Sequence, residues 1–116
     1  MELVKNNHEE VIQKILQKLK NKNIVTIGHR VVHGGTKFWK PTKIDARVIR
    51  ELKKLSSLAP LHNPPNLAGI LACKKLLPQV PQIAVFDTAF HHTIPEIAKK
   101  YALPQKIAKK FGIQKF

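Results

Sequence analysis

The chain has 116 residues, 43% of them hydrophobic and 24% charged; this is one domain's worth of polypeptide with a globular composition. A second folded domain within these residues, a disordered chain and a collagen-like repeat are excluded. Twenty-one Lys and Arg against seven Asp and Glu leave a formal charge of +14, which on its own points to nucleic acid or an anionic membrane. The distribution argues otherwise. Arg30, Arg47 and Arg50 are the only arginines, whereas base and phosphate recognition favours the bidentate guanidinium. The lysines recur as Lys53/Lys54, Lys74/Lys75, Lys99/Lys100 and Lys109/Lys110, the polar positions of successive amphipathic segments, so they read as solvated helix faces. Nucleic acid is not the expected partner.

The single cysteine, Cys73, cannot form an internal disulfide; it is expected to be a small core residue in a reducing compartment. No apolar run is long enough to span a bilayer, and Met1 to Asn7 lacks a signal-peptide hydrophobic region. A cytoplasmic protein with no membrane partner is expected.

In chain order, residues 8–21 read as an amphipathic helix, with Asn7 as N-cap, Glu9 and Glu10 in the first turn, and Val11, Ile12, Ile15, Leu16 and Leu19 at helical spacing. Residues 24–33 are rich in β-branched side chains and end in Gly34-Gly35; they predict a buried strand and a turn. Residues 36–44 read as a loop or edge hairpin, because Pro41 cannot donate to a central ladder. Asp45 is expected to cap a helix whose apolar face is Val48, Ile49, Leu52 and Leu55. Asn63 as cap and Pro64 at the first helical position predict a third helix carrying Leu67, Ile70, Leu71 and Leu76, ended by Pro78 and Pro81. A second short buried strand is expected over 82–87, with Asp87 at its carboxyl end. Two short proline-started helices follow, over 95–102 and 104–111, the second closed by Gly112. Residues 113–116 look like the start of a strand. Strands alternating with helices imply an α/β layer architecture with parallel pairing, and two or three strands leave both edges of the sheet open.

In open α/β sheets ligands bind beyond the carboxyl ends of strands. That rule singles out Arg30, Val32, His33, Gly34 and Gly35 from the first strand, and Asp87, Thr88 and His91 from the second. Leu61, His62 and Asn63 sit at a helix start, where free backbone N–H groups favour anions. An arginine, a carboxylate and two small apolar side chains make a pocket for a short carboxylic acid. Each residue also has a plainer reading. Arg30 and Asp87 can form a structural ion pair, and His62 can cap or pack. His33-Gly34-Gly35 reads as a turn, since a phosphate loop runs into a helix. His91-His92 has no carboxylate or cysteine at ligand spacing, so no metal site is expected within the chain.

Three segments, 27–35 (Ile-Gly-His-Arg-Val-Val-His-Gly-Gly), 58–64 (Leu-Ala-Pro-Leu-His-Asn-Pro) and 85–91 (Val-Phe-Asp-Thr-Ala-Phe-His), together with Tyr101-Ala102-Leu103-Pro104, resemble the acetate kinase family in order and spacing. The likeness runs from about Glu9 to Phe116. It implies a fold of the actin-like ATPase type with ribonuclease-H-like halves, shared with sugar kinases, of which residues 1–116 would be one partial domain on the substrate side. It also implies transfer of the γ-phosphoryl group of ATP to acetate or another short carboxylate, with Mg2+, giving acetyl phosphate. By that resemblance Arg30 contacts the substrate carboxylate and transferred phosphoryl group, Val32 and Leu61 line the methyl pocket, and Asp87 is the catalytic aspartate. His33, His62, Asn63 and His91 would support them. A carboxylic acid of pKa about 4 to 5 is already ionised at pH 7, so Asp87 is expected to orient Arg30, a water or a magnesium ligand instead of acting as a base.

The family's Asn-x-Gly-Ser-Ser-Ser-x-Lys phosphate motif, its Gly-Phe-His-Gly segment, its adenosine-binding domain and its magnesium-binding glutamate have no counterpart among these residues. Thr36 stands where the family usually has glutamate, and His92 where it often has glutamine. The 116 residues are therefore expected to be an inactive fragment, with doubtful formation of the family's homodimer. The alternatives are one piece of a split, complementing kinase, or a basic nucleic-acid-binding module.

Overall fold

The computed structural model describes residues 8–19 and 22–115. Its elements are α1 (His8–Lys18), β1 (Ile27–Val31), β2 (Thr42–Lys43), α2 (Ala46–Leu55), α3 (Asn63–Leu76), β3 (Gln82–Phe86), α4 (Asp87–Phe90), α5 (Glu96–Lys99) and α6 (Gln105–Phe111). The three strands form one sheet in the order β1-β3-β2, with β1 parallel and β2 antiparallel to β3. Parallel pairing in an α/β layer is thus as expected. The outer edges of β1 and β2 are both open in this three-stranded order.

Register assigns each residue to a face. Ile27, His29 and Val31 stand beside Gln82, Ala84 and Phe86, while Gly28 and Arg30 stand beside Ile83 and Val85. Because side chains alternate along a strand, the first set shares one face and the second set the other. On the first face Val31, Ala84 and Phe86 join Phe38, Val48, Ile49, Leu52, Leu67 and Ile70 in a single core. Phe38 stacks on Phe86 with ring centroids 5.0 Å apart. The second face is open: Arg30 and Val85 are exposed. Sheets with parallel strands ordinarily carry helices on both faces; here α2 and α3 pack on one.

The helices follow local rules. Asp45 accepts the Val48 N–H at 2.8 Å as the N-cap of α2, and its three fully apolar buried positions are Val48, Ile49 and Leu52. Cys73 is buried in α3, as expected for a core residue. α1 lies along α3, with Lys75 paired to Glu9. Among the described residues no helix is long and apolar enough to cross a membrane.

Several expectations are corrected. β1 is shorter than residues 24–33 and is an edge strand, half exposed instead of buried. Its ladder starts where Ile27 donates to Pro81 O and stops with Phe86, since β3 turns directly into α4. Residues 24–26 therefore have no strand to pair with. α4 makes a sixth helix where five were expected. Asn63 does not cap α3: His62 occupies the cap position without a side-chain cap bond, and Asn63 is turned inward. Leu71, placed on the apolar face of that helix, is exposed. The helix expected over 95–102 contracts to α5, which ends where the Lys100 backbone is extended (φ −78°, ψ 137°), and the one expected over 104–111 starts one residue later as α6, with Pro104 at its N-cap position. Residues 113–115 form no strand. Asn7, residues 20 and 21 and Phe116, included in the expected elements, lie outside the described residues.

Candidate carboxylate site

Arg30 leaves the open face of β1 next to Val85. Asp87, two residues beyond Val85, stands where β3 ends and α4 begins. Arg30 Nε donates to Asp87 Oδ1 at 3.0 Å and to Oδ2 at 3.2 Å, and Nη2 donates to Oδ2 at 2.7 Å. This side-on, bidentate pair is the ion pair that the plainer reading anticipated. It leaves both hydrogens of Nη1 and one of Nη2 outside the Asp87 contact, a second planar fork for an anion. The hydrogen bonds and then the charge of Asp87 raise the Arg30 pKa further above its ordinary value. The guanidinium side chain is 78% exposed and that of Asp87 24%, so the pair is wet on one side and anchored on the other.

Behind Arg30 the chain leaves the sheet through Val32, His33, Gly34 and Gly35. The first three are buried. With no ladder to serve them, the four amide N–H groups are taken one by one by side chains. Val32 N–H donates to Asn66 Oδ1 at 3.2 Å, His33 N–H to Asn63 Oδ1 at 3.0 Å, Gly34 N–H to Thr88 Oγ1 at 3.0 Å, and Gly35 N–H to His33 Nδ1 at 3.1 Å. Asn63 Nδ2 also donates to His33 O at 3.0 Å, so this side chain copies both bonds of a strand partner. Each such bond contributes about 1 kcal/mol net, and a buried group left without one costs about 1–3 kcal/mol. A Cβ on Gly34 would lie 2.6 Å from Phe38 O and 2.8 Å from the Phe86 ring, and Gly35 has φ +61°, so only glycine fits the close approach and the left-handed turn.

The turn is therefore not a phosphate cradle: its N–H groups already have acceptors. Nor do the described residues fit a metal of their own. No group of three His, Cys, Asp or Glu comes together among them, and the Asp87 oxygens face Arg30.

Val32 is 7% exposed whereas Leu61 is 82% exposed, so the two expected pocket walls differ sharply in burial. His62 is exposed. His91 meets the Phe90 ring edge-on at 5.3 Å and lines a separate cavity of about 660 Å3, together with Gly35, Thr36, Trp39, Thr88, His92 and Tyr101. Arg30, Val32, Leu61 and Asp87 are not among the residues lining that cavity. Burial lowers the pKa of His33 and, on the covered face, of His29. His29 Nε2 is 2.7 Å from the Gln82 amide, whose nitrogen also reaches Ile70 O and whose oxygen accepts from the Lys74 N–H, tying β3 to α3. Asn66 and Gln82 were not singled out from the sequence. The signal for Asn66 was its place three residues after Asn63, on the same side of a helix.

A sequence model of the Acetokinase family matches residues 1–116. The chain is 50% identical over 117 residues to the acetate kinase of Bacillus mycoides, and 50% identical over 119 residues to that of Thermosipho africanus. Each match covers 95% of this chain and only 30% and 29% of the relative, so the chain spans about three-tenths of their length. Among solved structures it resembles a propionate kinase from Francisella tularensis (TM-score 0.82, 43% identity, 93% of this chain and 29% of that one) and the acetate kinase of Porphyromonas gingivalis (TM-score 0.80, 42% identity, 92% of this chain and 29% of that one). The mixed α/β architecture is accordingly a part of the actin-like ATPase fold of acetate and propionate kinases, and the chain belongs to the acetokinase family, a family of kinases.

Proposed function

We propose that residues 1–116 supply the acceptor side of a carboxylate kinase, the side that holds acetate or another short carboxylic acid for phosphorylation by ATP. The observation that carries this reading is the Arg30–Asp87 pair on the open face of the sheet. Asp87 engages one edge of the guanidinium and leaves the other for the carboxylate of the acid. Val32, next along the buried exit from β1, and the exposed Leu61 are the apolar residues that would limit the length of its alkyl end. Phosphoryl transfer depends on positioning and charge neutralisation. Arg30 orients the attacking carboxylate oxygen and balances charge on the transferred group, while Asp87 fixes the guanidinium plane. No proton needs removing from an acid that is ionised at pH 7.

ATP and Mg2+, which the family uses, would be held mainly by the part of the relatives that this chain does not span. The described residues offer them neither free turn amides nor a carboxylate cluster. The 116-residue chain alone is expected to bind acetate weakly, with a Kd in the millimolar range or above (about −4 kcal/mol or weaker), and to form no acetyl hydroxamate from acetate, ATP, Mg2+ and hydroxylamine. Turnover by the purified chain would contradict the acceptor-side reading. So would acetate binding that survives Arg30→Ala unchanged.

A further inference from the structure

Three of the four side-chain acceptors around the exit of β1 come from two other places, the fourth being His33 itself. Asn63 and Asn66 sit three residues apart in the first turn of α3, and their oxygens take the N–H groups of His33 and Val32. Thr88 directly follows Asp87 in α4. Thus two successive residues of α4 grip the same strand and its exit: Asp87 holds the Arg30 guanidinium, and Thr88 holds the Gly34 N–H. From the other side, Phe38 and Phe86 press on Gly34 so closely that no side chain fits. The backbone that carries Val32 is therefore tied at Val32, His33 and Gly34, next to the Arg30–Asp87 pair.

We propose that Asn63, Asn66 and Thr88 are positioning residues that hold the Val32–Gly34 backbone and thereby set how long a carboxylic acid the site accepts. The proposal rests on the carboxylate reading of the site and goes beyond it by naming what determines chain-length selectivity. A pocket that rejects one or two extra methylenes needs an unyielding wall. A side chain on an irregular exit segment is unyielding only if its backbone is tied. Asn66 ties Val32 itself; Asn63 and Thr88 tie the next two residues.

The test uses the 116-residue chain, 15N-labelled, titrated with acetate, propionate and butyrate while the Arg30 Nε–H resonance is followed. The parent chain is expected to separate acetate from butyrate by about tenfold or more. Asn66→Leu removes the acceptor at a half-exposed helical position, and Thr88→Val removes it with the shape kept. Each is expected to compress that ratio by about fivefold or more, since a yielding wall admits the longer chain. Asn66→Asp and Thr88→Ser retain an acceptor oxygen and are expected to retain the ratio. A residue that only stabilised the fold would lower the melting temperature and leave the ratio intact in the folded protein. That result, an unchanged ratio with a clear Arg30 response, overturns the positioning role while leaving the carboxylate site standing. Absence of any Arg30 response in the parent chain overturns both. If Thr88→Val does not fold, Asn66→Leu decides alone. Amide hydrogen exchange then checks the geometry: Val32 should exchange faster in Asn66→Leu, and an unchanged rate counts against the clamp.

Discussion

The two faces of the sheet are built from the same three short strands and have opposite chemistry. On the covered face, alternate residues of β1 and β3 meet α2 and α3 in a close-packed core, with Ala84, Val48 and Ile70 at 0% exposure. On the open face the intervening residues are Gly28, Arg30, Ile83 and Val85, and Val85 is 50% exposed. Packing density decides stability on one face, and the proposed site on the other rests on donor geometry. A single strand thus contributes Val31 to the core and Arg30 to the site, one residue apart. Substitutions should separate the two faces cleanly.

The largest effect is expected on the covered face. Ile70→Ala or Leu52→Ala should cost about 2–5 kcal/mol in urea unfolding, the range for large-to-small changes at closed core positions. A loss below about 1 kcal/mol would mean that the core is looser than this packing implies. Next comes the joint between the faces. Asn63→Leu removes both bonds to the His33 backbone and leaves a buried N–H and C=O; the expected cost is about 2–4 kcal/mol by the same measurement.

Acid should act through the covered face as well. Burial lowers the pKa of His29 and His33 from the ordinary 6.5, so below that value the unfolded chain takes up protons that the folded chain refuses. Stability is expected to be level above about pH 6.5, to fall as the pH drops below it, and to stop falling from this cause once the lowered folded-state pKa values are passed. Melting temperatures from pH 8 to 5 would show it, and His29→Gln should shrink the slope. Asp45 adds a second, lower window: the Val48 N–H holds its carboxyl below the usual range, so its cap contribution is present above about pH 4 and lost as the pH falls through the lowered value. The smallest stability effect belongs to the open face, where Val85→Ala should stay within about 0.5 kcal/mol. A larger loss would show that this face is packed in solution.

Much of this division was legible from local pattern. The Asp45 cap and the Val48, Ile49, Leu52 spacing announce α2 because a side-chain acceptor and a 3.6-residue period act within one element. The rule that sites gather at strand ends singled out both Arg30 and Asp87, and their ion pair was the plainer reading of the same two residues. What escaped was decided by partners distant in sequence. Residues 24–26 have the composition of a strand but no strand beside them, since β3 begins only after Pro81. Asn63 has the composition and position of a helix cap, yet its side chain bonds both the N–H and the C=O of His33, thirty residues earlier. Residues 95–115 show the same limit: their apolar periodicity announces helices, but α5 and α6 bury no residue. Hydrophobic period reports which side of an element seeks cover, and the cover itself comes from elsewhere in the chain.

The central claim is that Arg30, held edge-on by Asp87, presents its free edge to a carboxylate. Following the Arg30 Nε–H and Nη–H resonances of the 116-residue chain during an acetate titration tests it most directly. The account predicts a saturable shift at Arg30 with acetate and none with chloride at the same ionic strength; a parent chain whose Arg30 resonances do not move with acetate, or move identically with chloride, would contradict it.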